Sequence, residues 1–232
     1  MSAVTRAAVE QVLSSLIDPN LNLDPVSAGC VRSIDIQGGQ VQVQLELGYP
    51  AQLFKTGWAQ MLQMSLEQLP GVTRAQVQID TVIAAHQGQS DTATLAGVKN
   101  VIAVASGKGG VGKSTTAVNL AVALAREGAR VGILDADIYG PSQGIMLGVP
   151  SGTKPAVRDE KYFIPIQAHG IAVMSMAFLT TDSTPMVWRG PMASGALLQM
   201  ITQTHWGDLD YLVVDMPPGT GDIQLTLAQK VP

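Results

Sequence analysis

The sequence predicts an α/β protein in two parts, a small α-β-β-α-β domain followed by a parallel-sheet α/β domain. Three observations predict it. The first 84 residues carry one helical stripe, a two-strand alternation around Gly38-Gly39 and a second helix leading into a third strand. From about residue 100 the pattern changes to uninterrupted apolar runs alternating with helical stretches, as strands buried on both faces of a parallel sheet require. A glycine-dense loop joins the first of these runs to its helix. The size agrees: 232 residues, 46% hydrophobic and 14% charged, make a globular chain with enough material for two cores.

Taken in order, Val9, Val12, Leu13, Leu16 and Ile17 fall on one helical face, which Asp18-Pro19 is expected to end. Strands are expected over Gly29 to Gln37 and Gln40 to Leu47, the second with Val41, Val43, Leu45 and Leu47 on its inner face. Ala51 to Leu69 spaces Trp58, Leu62, Leu66 and Leu69 as a helix closed by Pro70-Gly71, and Val72 to Ile83 returns to strand alternation. These elements make residues 1–84 a small, complete α+β domain. Ala84 to Asn100 is small and polar, which places a linker at 85–99. In the remaining part, residues 100–232, strands are expected at Val101 to Ser106, Val131 to Leu134, Ile171 to Met176 and Tyr211 to Val214. Helices are expected from Lys113 to Glu127, ended by Gly128, and near Met192 to Thr204.

The strongest chemical signal is Gly107-Lys108-Gly109-Gly110-Val111-Gly112-Lys113-Ser114, which fills the G-x-x-x-x-G-K-[ST] template between a buried strand and a helix. Glycines let the backbone wrap an anion with its N–H groups pointing inward, and the helix that follows adds its positive end. Lys113 suits the outer phosphates and Ser114 suits magnesium. Together with Thr115, these residues are the expected phosphate cradle. Two carboxylates sit where metal and water need partners, at the ends of apolar runs. One is in Asp135-Ala136-Asp137-Ile138-Tyr139-Gly140-Pro141-Ser142 and the other opens Asp215-Met216-Pro217-Pro218-Gly219-Thr220-Gly221-Asp222. For either alone, the alternative is a helix cap or turn aspartate.

These residues resemble a known family. The second loop lysine, Lys108, matches the deviant phosphate loop of the MinD, ParA and nitrogenase iron-protein class of dimerising ATPases. Within that class SGKGGVGKST, DADIYGPS, WRGPM and DMPPGTGD look like the Mrp/ApbC-type iron-sulfur cluster carrier ATPases, and Asp18-Pro19 to Leu47 resembles their small iron-sulfur-assembly domain. The resemblance implies a P-loop NTPase fold, ATP and Mg2+ as cofactors, a nucleotide-dependent homodimer, and iron-sulfur assembly or recipient proteins as partners. It implies that Lys113 holds the nucleotide of its own subunit while Lys108 reaches the partner's phosphates, Lys108 as a solvated loop lysine being the plainer alternative. It further implies that Asp137, with the metal, orients the hydrolytic water, that Asp215 holds magnesium through water and Ser114 directly, and that Asp135 supports them structurally.

Two departures qualify the resemblance. The family's cluster-binding Cys-x-x-Cys follows the second switch beyond Pro232, which leads us to expect a fragment lacking the strand that covers Val101 to Ala105. The small domain's usual cysteine segment reads Pro50-Ala51-Gln52-Leu53-Phe54, and the single cysteine, Cys30, is expected in the core. The cluster therefore has no family ligands within these residues.

Other features bound the function. Residues 1–98 carry eight acids against four bases and the rest ten of each, so neither part is basic enough for nucleic acid. The greasiest runs are about half the ~20 residues a membrane span needs. One cysteine and no secretion signal point to a reducing, cytoplasmic setting. His86, His169 and His205 share no ligand spacing, and the methionines, among them Met61, Met64, Met174 and Met176, are expected to fill the core. Trp188-Arg189 is either a dimer or partner contact or a cation-aromatic clasp. A competing reading is a ParA- or MinD-like positioning ATPase at a membrane or DNA surface, against which the acidic first domain and the lack of a basic patch weigh. A blander one makes the first domain a protein-interaction adaptor.

Overall fold

A computed structural model of the chain describes residues 4–86, 95–179, 190–219 and Gln224. The chain divides into two compact units, Met1–Ala84 and Ala85–Pro232.

The first unit opens with helix α1, Arg6–Ser14, whose N-cap Thr5 accepts a hydrogen bond from Ala8 N through its hydroxyl. The helix ends at Ser14, short of Asp18-Pro19, because the Ser15 hydroxyl donates to Val12 O at 2.7 Å and closes the last turn. Val9 and Leu13 are buried as the stripe requires, but Ile17 falls past the end and is half exposed. Strands β1 (Val31–Gln37) and β2 (Gln40–Leu47) form an antiparallel hairpin through Gly38-Gly39. Gly39 has φ +89°, and a Cβ there would lie 2.7 Å from Gly71 O. Helix α2 (Lys55–Glu67) then crosses over to β3 (Arg74–Thr81), which pairs parallel to β2, giving the order β1-β2-β3.

The inner faces of β2 and β3 pack on Trp58, Leu62 and Leu66 of α2 together with Val9 and Leu13. Met61 and Met64 do not fill the core as expected. They lie off the 58-62-66 stripe and are exposed. Cys30 is buried, and burial pushes its thiol above the ordinary range.

The second unit holds a five-stranded sheet, ordered β4-β10-β5-β9-β8. Its strands are β4 (Val101–Val104), β5 (Val131–Asp135), β8 (Ile166–Ala168), β9 (Ile171–Ser175) and β10 (Tyr211–Asp215). Helix α3 (Lys113–Arg126) links β4 to β5, α4 (Gln143–Met146) is a single turn after β5, and α5 (Gly190–Gln203) precedes β10. A separate hairpin of β6 (Ala156–Arg158) and β7 (Tyr162–Ile164) was not anticipated by the apolar runs, because its residues are largely exposed. The sheet is also not wholly parallel, since β8 runs antiparallel to β9.

Side chains of α3, Ala117 and Ala121, pack on one face of the sheet against Val131, Ile133 and Val213. Leu197, Met200 and Ile201 of α5 pack on the other against Leu134, Leu212 and Val214. β5 and β9 are buried throughout, as expected for strands covered on both faces. β4 is not: among the described residues it has a neighbour on one side only, and Ala103 is exposed. Leu95 and Val98, within the stretch of linker-like composition, pack against the second unit's core, and Val98 bridges to Leu209.

Candidate functional site

Insertion of β10 between β4 and β5 builds the candidate site. It aligns Asp215 with Asp135 on one side and Val104 on the other, and Asp135 in turn with Ser175. The loop Gly107–Gly112 leaves the end of β4 beside them and turns into α3 at Gly112. Loop, carboxylates and helix start therefore share the carboxyl edge of one sheet, where such folds bind ligands.

Gly110 and Gly112 have φ +75° and +86°, so the loop's own path requires glycine there. Gly107 and Gly109 have no positive φ, and a Cβ on any of the four would meet nothing within 4 Å among the described residues. The cradle thus has room for a phosphate chain at its glycines. Its base is held by the Ser106 hydroxyl donating to Lys108 O at 3.0 Å, and the second motif's loop is attached to it by Gly219 N donating to Ser106 O at 3.0 Å. Gln224 Nε2 donates to Pro217 O and Gly219 O, closing that loop.

At the centre, the Lys113 ammonium donates to Asp215 Oδ1 and, at 3.1 Å, to Ser114 Oγ. Asp215 is wholly buried and the Lys113 side chain is only 8% exposed. The other oxygen of Asp215, Oδ2, accepts from Gln143 Nε2 at 2.7 Å. Gln143 also donates to Ser114 O at 3.1 Å. An ammonium, a hydroxyl and a carboxylate held together in this way form a donor set suited to magnesium and phosphate oxygens.

Asp135 is fully buried and caps the start of α4. Its Oδ2 accepts from Ser142 N (2.8 Å), Gln143 N (3.0 Å) and the Ser175 hydroxyl (3.3 Å), and its Oδ1 from Asp137 N (3.2 Å). Burial pushes its pKa up to about 6; the backbone N–H groups of Gln143 and Ser142 oppose that shift and nearby Asp215 adds to it. Asp137 is half-buried, and its Oδ1 accepts from Gly140 N at 3.1 Å in a local turn. It stands at the same strand end as Asp135 but makes no hydrogen bond to Lys113, Ser114 or Asp215 among the described residues. Lys108, Val111 and Thr115 are exposed, and Lys108 forms no ion pair among the described residues. Thr220, Gly221 and Asp222 of the second motif, with Trp188 and Arg189, lie outside the described residues.

Sequence reasoning missed Gln143. A lone glutamine in a turn carries no spacing signal, and only the fold brings it to Asp215, 72 positions away. At the opposite, amino ends of the strands, a cleft lined by His86, Lys99, Arg130 and Asp208 opens, but its cations are engaged: Lys99 and Arg130 both hold Asp210. Among the described residues no three His, Cys, Asp or Glu side chains gather as a metal site, and no helix is long and apolar enough to cross a membrane.

Residues 97–232 match a family model described as NUBPL iron-transfer P-loop NTPase, and residues 6–79 match one described as iron-sulfur cluster assembly protein. The chain is 73% identical over 172 residues to an iron-sulfur cluster carrier protein of Pseudomonas fragi, covering 74% of this chain and 60% of the relative. It is 45% identical over 232 residues to one from Synechocystis sp., covering 99% of this chain and 65% of the relative. Among solved structures it is similar to a nucleotide-binding protein from Archaeoglobus fulgidus in complex with ADP, with TM-score 0.50 and 44% identity, over 59% of this chain and 51% of that one. The chain thus spans less than two thirds of the length of these relatives.

Proposed function

This chain belongs to the NUBPL-type iron-transfer P-loop NTPases, and from that premise we propose that it binds ATP with magnesium at Gly107–Thr115 and hydrolyses it as a nucleotide-dependent homodimer. We propose further that this cycle serves the carriage of iron-sulfur clusters between assembly and recipient proteins. The observation that carries the reading is the Lys113–Asp215–Ser114 cluster beside an open glycine cradle. The ADP-bound relative supports the choice of nucleotide.

The chemistry follows from the residues. Lys113 leaves Asp215 and takes up the charge of the outer phosphates, which exchanges one anionic partner for another. Magnesium, when bound with the nucleotide, supplies neutralisation of charge on the β- and γ-phosphates, and Ser114, Asp215 and Asp137 are the residues that would hold it. Asp137 orients a water for in-line attack on the γ-phosphorus. The bond to the β-phosphate oxygen breaks, and ADP, phosphate and a proton are released. Lys108, exposed on the loop, extends to the phosphates of a second copy. The cluster is cargo. Cys30 is the sequence's only cysteine, and its buried thiol is a poor ligand, so no cluster ligand is assigned within these residues.

Binding and turnover of ATP, measured separately, test this reading. Lys113→Ala is expected to abolish binding, and Lys108→Ala to spare binding while removing turnover. Equal loss of both in Lys108→Ala would contradict a role across the dimer.

A further inference from the structure

We propose that Gln143 is a positioning residue of the nucleotide site, which fixes Asp215 for the metal and for Lys113. The assignment rests on the nucleotide-binding reading above and goes beyond it by giving a role to a residue that no motif contains.

The side-chain amide spans two elements. Its Nε2 donates at once to Asp215 Oδ2, at the end of β10, and to Ser114 O, in the first turn of α3. Both partners are acceptors only, so the amide's orientation is forced: turned over, it would set its oxygen against two other oxygens. Gln143 is fully buried, and its remaining acceptor, Oε1, has no hydrogen-bond partner among the described residues. A buried acceptor left unpaired is costly, and its retention calls for a reason. Phosphate oxygens cannot supply a donor. Water carried on a bound cation can, and so can an ammonium released from Asp215.

The backbone holds the amide in place independently. Asp135 accepts from Gln143 N, and Gly144 lets the turn approach Phe178 so closely that a Cβ would lie 2.9 Å from Phe178 Cε1. Gln143 therefore has one oxygen of Asp215 clamped while the other, Oδ1, is left to Lys113. When Lys113 moves to phosphate, Oδ1 is freed without the carboxylate having to find a new orientation. That preorganisation bears on binding of the metal and not on the loop's own hold on phosphate.

The test is the affinity of the full chain for ADP, measured by calorimetry with magnesium and again with EDTA. Gln143→Leu, of similar size, is expected to leave the affinity in EDTA within about twofold of wild type. It should reduce the gain conferred by magnesium by about tenfold or more, the loss expected for one hydrogen bond to a charged group. Gln143→Asn keeps an amide but shortens the arm by one methylene, so it cannot span both acceptors. It is expected to show the same selective loss, and it carries the test if the leucine variant does not fold. An unchanged magnesium gain in a folded variant overturns the assignment, as does equal weakening with and without magnesium, which would mark Gln143 as packing alone. A wild-type chain that binds no ADP in either condition overturns the nucleotide reading itself and this inference with it.

Discussion

Removing Lys113 is expected to do two separable things, because its ammonium is the main counter-charge to a wholly buried carboxylate. In Lys113→Met the methylene stem is kept, but Asp215 is left with Gln143 as its remaining side-chain donor. Breaking one side of a buried ion pair costs about 3–5 kcal/mol, and the surviving Gln143 bond places this site near the lower figure, about 3 kcal/mol. For a unit of this size that is a fall in Tm of roughly 6–12 °C. Replacing both members, Lys113→Met with Asp215→Leu, removes the orphaned charge and should recover most of the loss, giving a coupling of about 2 kcal/mol or more. The assay is urea and thermal unfolding in a background where Trp58 and Trp188 are phenylalanine, so that the buried Trp206 reports on the second unit. On the nucleotide-binding reading ADP raises the Tm of the wild type, and both variants should lack that rise. Additivity of the two single changes within about 0.5 kcal/mol would refute the pairing.

Two further outcomes concern stability alone. Partial burial works to raise the Asp210 carboxyl, but hydrogen bonds from Arg130, on its guanidinium and backbone N–H, and from Lys99 outweigh it and hold the group far below the ordinary carboxylate range. Its contribution is therefore full above the unfolded value of about 3.9 and is lost as the pH falls below it. Asp210→Asn should flatten the acid limb of the second unit's unfolding midpoint against pH, and an unchanged limb would count against the clamp. Gly39→Ala forces a side chain into φ +89° and to within 2.7 Å of Gly71 O, so the first unit should lose about 1–3 kcal/mol by denaturant unfolding.

Where one physical signal dominates, the sequence was legible. Period-two burial in Val41, Val43, Leu45 and Leu47 and the 58-62-66 stripe of α2 are set by local geometry, and the structure repeats both. Helix α1 is shorter than its apolar spacing predicts, because that spacing continues past the point where the Ser15 hydroxyl closes the turn. Met61 and Met64 are exposed against expectation, because composition does not say which face of a helix a methionine occupies. In the β6-β7 hairpin only Phe163 and Ile164 are partly buried, too short a run to leave a periodic trace.

For the site, the sequence by itself determined the list of reactive groups. A glycine loop ending in Lys113-Ser114, and aspartates closing apolar runs, are covalent facts of spacing, and they suffice to name the chemistry. What only the tertiary structure decided is which groups meet. β10 lies between β4 and β5, so Asp215 and not Asp137 becomes the partner of Lys113, 102 positions earlier in the chain. Gln143 is drawn in because Asp135 and the close approach at Gly144 fix the turn that bears it. The physical reason is that strand order and burial are settled by packing over the whole unit, whereas spacing records only neighbours along the chain.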